Sequence, residues 1–160
     1  VQMVGLPVCN GLLVTIFNIY AWTGGHGNND SALRTSDLIQ SILDEMNYHF
    51  GTPFAILGDL NADPSDIPPL EEHLQLGKLV DLGNNIAFGP PIMTCRPPNN
   101  GKPSRRDFIF VSELLLPFVK QFRVDENNFP VHSTLVCCLS IPDVLPDVTF
   151  SVRFWEEVTV

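Results

Sequence analysis

Gly58-Asp59-Leu60-Asn61 follows directly on the short apolar run Pro53-Phe54-Ala55-Ile56-Leu57, so a carboxylate and a carboxamide stand two residues apart at the end of a candidate buried strand. In an extended chain, residues two apart point to one side. A pair of this kind suits holding a water and a phosphoryl oxygen near a metal ion. Asp and Asn are equally at home in strand-end turns, where they bond to nearby backbone, and the segment alone does not separate the two readings. A second carboxylate, Asp107, opens the apolar run Phe108-Ile109-Phe110-Val111 behind Arg105 and Arg106. Burying it there is costly unless it is paired. The third group is His132, set between Phe129-Pro130-Val131 and the apolar residues 133–141. A carboxylate that holds one imidazole nitrogen leaves the other to take a proton, which makes Asp107 and His132 a candidate orienter and base.

Each of these groups lies at an end of an element, and the elements can be read from pattern. The β-branched and aromatic residues 12–20 predict a buried strand, and residues 53–58, 107–111, 120–124 and 133–141 predict four more. Ile39, Ile42, Leu43 and Met46 recur at helical spacing, which predicts one amphipathic helix over 31–49, capped by Asp30 or Ser31. A short helix is expected over 70–76 and a helical stretch over 113–119, checked at Pro117. Residues 83–105 are rich in Pro, Asn and Gly and are expected to be loop. Pro142 and Pro146 open a tail with no evident place in the core. Strands that are apolar on both faces, alternating with helices, predict an α/β fold of stacked layers in one domain, residues 1–141, followed by a tail, 142–160.

The 160 residues can bury a substantial core without disulfides. Cys9, Cys95, Cys137 and Cys138 have neither metal-ligand nor redox spacing and are read as small buried hydrophobes, with an intracellular reducing compartment as the default. The formal charge of −9 argues against a surface that grips nucleic acid everywhere. Between residues 94 and 123, however, Arg96, Lys102, Arg105, Arg106, Lys120 and Arg123 face only Asp107 and Glu113, a local excess of +4 that suits a DNA-facing strip or a solvated loop and helix face. No charged residue precedes Asp30, so the basic start of a signal peptide is not seen, and Pro7, Asn10, Gly11 and Asn18 interrupt any membrane span over 3–22.

Taken in order, Asn18-Ile19-Tyr20, Gly58-Asp59-Leu60-Asn61, Ser104-Arg105-Arg106-Asp107-Phe108-Ile109-Phe110-Val111-Ser112 and His132-Ser133 resemble the endonuclease/exonuclease/phosphatase superfamily. The likeness is greatest to the endonuclease domain of LINE-type retrotransposons and its apurinic-site endonuclease relatives, and it covers about residues 10–141. The resemblance implies a four-layer α/β/β/α sandwich that cleaves phosphoesters with Mg²⁺, or with Mn²⁺. It implies that Tyr20 contacts the scissile phosphate, that Asp59 orients or activates the attacking water and binds metal, and that Asn61 hydrogen-bonds the phosphate. His132 would act as base or phosphate stabiliser, oriented by Asp107.

Two departures from that family's pattern stand out. Val131 occupies the position where the family has an Asp before its His, and an alkyl group holds neither cation nor water. The family's opening strands, with an Asn and the Glu that binds metal most directly, have no counterpart here, and residues 1–19 contain no carboxylate. The sequence therefore reads as a degenerate domain of this type, expected to be catalytically inactive and to serve as a structural or interaction subunit of a larger assembly. Residues 1–25 and the tail would lie against another protein chain, because open strand edges and apolar sheet surface associate. The alternatives are a Mg²⁺-dependent DNA endonuclease completed by missing N-terminal strands, and a nucleic-acid-binding relic that does not cleave.

Overall fold

The structure is a computed structural model that describes residues 1–7, 13–24, 29–49, 51–98, 101–125, 131–140 and 148–152. Among the described residues, eight strands and two α-helices run in the order β1 (Gln2–Pro7), β2 (Leu13–Tyr20), α1 (Asn29–Tyr48), β3 (Phe54–Asp59), α2 (Pro68–Gln75), β4 (Leu79–Asp81), β5 (Asp107–Ser112), β6 (Val119–Asp125), β7 (Thr134–Leu139) and β8 (Val148–Val152). Five strands form one sheet in the order β1-β2-β3-β5-β4, and three form a second in the order β6-β7-β8. β2 and β3 are parallel, joined by the crossover through α1, while the other pairs are antiparallel.

The period-2 alternation of β2, β3 and β5 divides their apolar side chains between two cores. Phe17, Ile19, Ile56, Phe108 and Phe110 meet Ile39, Ile42, Leu43 and Met46 of α1 and Leu70 of α2. Val14, Ile16, Ala55, Leu57, Ile109 and Val111 meet Leu135, Cys137 and Leu139 of β7. The result is three layers, helices on sheet on sheet, and the α/β reading holds. No helix covers the outer face of the three-stranded sheet among the described residues, so the fourth layer is not seen there. All six residues of β5 are buried, and a fully buried Phe or Ile contributes about 1.5–3 kcal/mol.

Several elements differ from what pattern alone predicts. α1 begins by Asn29, so Asp30 and Ser31 lie within its first turn rather than cap it; a carboxylate there still favours the positive end of the helix dipole. Residues 113–119 do not form one continuous helical stretch. Glu113–Leu115 is a turn and Leu116–Phe118 a single 3-10 turn, started by Pro117 at a position where a missing N–H is harmless. β1 is a strand that the sequence reading passed over. The expectation that the tail 142–160 has no place in the core is corrected for residues 148–152, which pair with β7 from Leu135↔Val152 to Leu139↔Val148. The rest of the tail, with Leu12 and Cys9, lies outside the described residues. No helix is long and apolar enough to cross a membrane among the described residues.

Candidate active site

Gly58 sets the end of β3. Its φ of +146° is a backbone state that L side chains rarely adopt, and a Cβ there would overlap the carbonyl oxygen of Ile19 on β2. This close approach lets β2 and β3 run together up to the register pair Tyr20↔Asp59. On the other side, Asp59 is the register partner of Asp107, the first residue of β5. Two carboxylates that are distant in sequence are thus neighbours across one ladder, 3% and 0% exposed.

His132 completes the group. Its Nδ1 lies 3.0 Å from Asp107 Oδ2 and 3.3 Å from Oδ1. A carboxylate oxygen accepts, so Nδ1 carries the proton and the lone pair of the neutral ring is on Nε2. Asp59, Asp107 and His132 offer ligand atoms that all lie within 4.8 Å of one another, and form such a group among the described residues. Burial raises the Asp59 carboxyl from 3.8 to about 6; the Asn61 backbone N–H opposes the rise, the Asp107 charge adds to it, and His132 and Arg106 oppose it more weakly.

Asn61 is placed differently from the expectation of an extended pair. Its φ of +49° turns the chain after Asp59, a conformation that Asn tolerates better than most residues. Its backbone N–H donates to Asp59 Oδ1 at 2.8 Å, and its side-chain amide donates to the carbonyl of Ala21 at 3.1 Å. The strand-end turn and the site therefore coincide, and Asn61 binds the turn to Ala21, the residue after β2. Tyr20 is 64% exposed at the open rim.

The reading from sequence missed Thr94. It is buried, and its hydroxyl oxygen accepts from the backbone N–H groups of Arg106 (3.0 Å) and Asp107 (2.9 Å). Its carbonyl accepts from Ser133 N at 2.7 Å. One threonine thus fixes the residue before Asp107, Asp107 itself and the residue after His132. The only signal in the sequence is a β-branched hydroxyl at the mouth of a loop, Thr94-Cys95, which names no partner. Cys95 continues this clasp with isolated bridges to Ser104 and His132, and Arg96 N donates to Val131 O at 2.7 Å. The half-buried Val131 brings an isopropyl group, not a donor, next to His132. Arg105 is held away from the site by Asp81, with its guanidinium 4.4 Å from the Phe108 ring centroid.

The sequence matches no protein-family model and no curated protein. Solved structures do match it. The endonuclease domain of TRAS1, a telomere-specific non-LTR retrotransposon, aligns at TM-score 0.61 and 19% identity over 88% of this chain and 63% of that one. The 3′-5′ exonuclease NExo from Neisseria meningitidis aligns at TM-score 0.60 and 20% identity over 96% and 65%. The 3′ phosphatase NExo from Neisseria, bound to a product DNA hairpin, aligns at TM-score 0.63 and 20% identity over 88% and 65%. The chain spans less than two-thirds of the length of each of these structures. The chain shares the fold of these nuclease and phosphatase structures.

The resemblance read from the sequence implies a divalent metal, and the donors can be tested against one. Hard cations such as Mg²⁺ and Mn²⁺ take carboxylate oxygens, waters and substrate oxygens. Asp59 fits in kind: it is a buried carboxylate, lifted to about 6 by burial and further by Asp107, with its hydrogen bond from Asn61 reaching Oδ1 alone. Asp107 is engaged by His132, which leaves Asp59 as the residue that would hold the ion.

Proposed function

We propose that the rim formed by Asp59, Asn61, Asp107 and His132 is the base half of a phosphodiester-hydrolysing centre. In this reading the 160-residue chain does not complete the metal half, and it acts as a structural or interaction unit of a larger assembly. The observation that carries the first part is the His132–Asp107 hydrogen bond of 3.0 Å beside Asp59. Asp107 holds the imidazole in the tautomer that can take a proton at Nε2 from a water, or meet a phosphoryl oxygen once protonated. Asp59 orients that water through its carboxylate, and Asn61 fixes Asp59 through its backbone N–H. Tyr20 stands beside Asp59 on the open side, in reach of a phosphate lying on the rim. A bound Mg²⁺ or Mn²⁺ would neutralise charge on the phosphoryl oxygens.

The second part is supported by Val131, which supplies no ligand at His132, and by a single carboxylate left to hold the ion. Metal stabilisation of phosphoryl charge is worth several kcal/mol, and each lost contact costs orders of magnitude in rate. The purified chain should show no nicking of supercoiled plasmid and no cleavage of an abasic-site duplex above background, with Mg²⁺ or Mn²⁺. Robust nicking that is lost in both Asp59→Ala and His132→Ala would overturn the inactive reading. It would favour a second reading, for which the intact His132–Asp107 geometry speaks: a metal-dependent DNA endonuclease whose own residues suffice to hold the ion.

A further inference from the structure

Arg105 takes no part in the rim, yet it is held in place from three sides. Its Nη2 donates to Asp81 Oδ1, and its guanidinium carbon lies 4.4 Å from the Phe108 ring centroid. Gly83 leaves the room: a Cβ there would stand 2.7 Å from Nη2. The N–H of Gly83 also donates to Asp81 Oδ1, at 3.1 Å. The Arg105 and Asp81 side chains are 15% and 11% exposed. Asp81 Oδ1 thus accepts both bonds, and among the described residues Oδ2 accepts none. Nε and Nη1 of Arg105 have no acceptor there either. The buried side-chain atoms without a partner are Asn18 Oδ1 and Thr35 Oγ1, so the spare atoms of the Arg105–Asp81 pair are open to a small group from outside.

The pair lines a hollow of about 520 Å³ between the end of α2, β4 and the start of β5. Leu74, Leu79 and Phe108 supply its apolar wall, and Asp63 lines it as well. Small-molecule sites have volumes of about 300–1,000 Å³ and combine apolar walls with a few polar groups. Strand alternation sets this hollow apart from the rim. Phe108 faces the helices together with Leu74 and Leu79, whereas its neighbour Asp107 turns to His132. The polar pair is selective in its chemistry. Arg105 offers N–H donors, Asp81 Oδ2 offers an acceptor, and their charges cancel. A carboxylate would meet Arg105 but face Asp81 and Asp63. An amidinium would meet Asp81 but face Arg105. A carboxamide matches both, because its carbonyl accepts from the guanidinium while its N–H donates to the carboxylate. Any other group leaves a donor or an acceptor of the pair unpaired, which costs affinity.

We propose that this hollow is a binding site for an uncharged carboxamide carried on an apolar body, held between Arg105 and Asp81 and packed on Leu74, Leu79 and Phe108. The site is separate from the phosphodiester reading and does not depend on it. The probes are benzamide, benzoate and benzamidine, which share one ring and differ in charge and donors. Each is titrated into the full chain and followed by backbone amide NMR shifts. Benzamide should bind about tenfold or more tighter than either charged probe, with the shifts centred on Leu79, Gly83 and Asn84. Asp81→Asn leaves Arg105 uncompensated, and the preference should pass to benzoate. Gly83→Ala pushes the guanidinium aside and should abolish binding of benzamide, the unfolding midpoint being recorded for both variants. If Asp81→Asn does not fold, the order of the three probes on the parent chain decides alone. A blocked Leu-Gln dipeptide offers the same group on a peptide. Tighter binding than benzamide assigns the site to a glutamine side chain of a protein, weaker binding to a free small molecule, and either upholds the site. A charged probe binding the parent best, equal binding of all three, no saturable binding, or shifts centred on Asp59 and His132 would overturn the proposal. None of these readouts involves cleavage, so their failure leaves the phosphodiester reading untouched.

Discussion

β5 and β1 belong to one sheet and are both six residues long, yet they live in different solvents. Every residue of β5 is buried, between the helices on one face and β7 on the other. In β1 five of six residues are exposed, with Met3 62% and Val4 49% open, and Leu6 is only half-buried. What holds β1 is its ladder to β2; what holds β5 is two cores and two neighbouring strands. The chemistry-bearing residues sit on the buried side of this divide, at the ends of β3 and β5 and against β7. The base and orienter proposed for His132 and Asp107 need a setting that does not give way, and the doubly covered strands supply one. The edge strand is where another chain can be added.

The sharpest way to break the buried half is Gly58→Ala. The substitution forces a side chain into a positive-φ position and into the Ile19 carbonyl. Backbone strain and overpacking each cost roughly 1–3 kcal/mol, so the variant should lose about 3 kcal/mol or more in urea unfolding and lose the Tyr20–Asp59 register with it. A loss below about 1 kcal/mol would show that the β2–β3 approach is looser than described.

Asp59 tests the electrostatic side of the same half. Its folded value of about 6 lies above the ordinary 3.8, so the native state binds more protons than the unfolded state between those values. The stability linked to this proton is fully present below about pH 4 and is lost as pH rises through about 6. The gap between the two values corresponds to roughly 3 kcal/mol as an upper bound. Asp59→Asn keeps the acceptor for Asn61 N–H and removes the charge. It should be more stable than the parent above pH 7, by up to that amount, and equal to it near pH 4. A pH-independent difference in unfolding free energy would contradict this account of the buried carboxyl pair.

Thr94→Val comes next. It keeps the shape and deletes the oxygen that accepts from Arg106 N and Asp107 N. Leaving buried donors unpaired costs about 1–3 kcal/mol. The expected readout is lower stability together with a change in the His132 imidazole NMR signals, because Asp107 loses one of its anchors. A stability loss with the His132 imidazole signals unchanged would assign Thr94 to packing alone.

How far the sequence discloses these parts follows from where each signal resides. The strands of the buried half were legible because both faces must be apolar, which writes a continuous run such as Phe108-Ile109-Phe110-Val111. The helix over Asn29–Tyr48 was legible because one face alone is apolar and repeats at 3.6 residues. Asp59, Asp107 and His132 were legible as candidates because a polar group that interrupts or bounds an apolar run requires a partner. β1 was not, since Gly5 and Pro7 depress strand propensity and its exposed faces impose no alternation. β8 was not, since its evidence is a pairing with β7 and not a pattern of its own. Thr94 and the turn at Asn61 were hidden for a third reason. Their roles are hydrogen bonds to backbone at positions 12, 13 and 40 residues away, and backbone groups carry no sequence.

The edge strand gives the smallest effect on folding and the clearest on association. β1 carries no charge, and its outer backbone groups have no ladder partner among the described residues. Natural edges are usually blunted by Lys, by Pro or by a covering element, and here only Pro7 at the end of the strand does so. Burying apolar surface yields roughly 25 cal/mol per Å², which is the ground for expecting a partner along β1. Val4→Lys places a charge on an exposed position of that edge. Because Val4 is half open already, unfolding free energy should move by less than about 0.5 kcal/mol. The purified parent chain should elute as an associated species in size-exclusion chromatography with light scattering, and the variant should shift toward 17.8 kDa. A parent chain that is already monomeric would remove β1 as the docking edge, and an associated variant would move the contact to another surface.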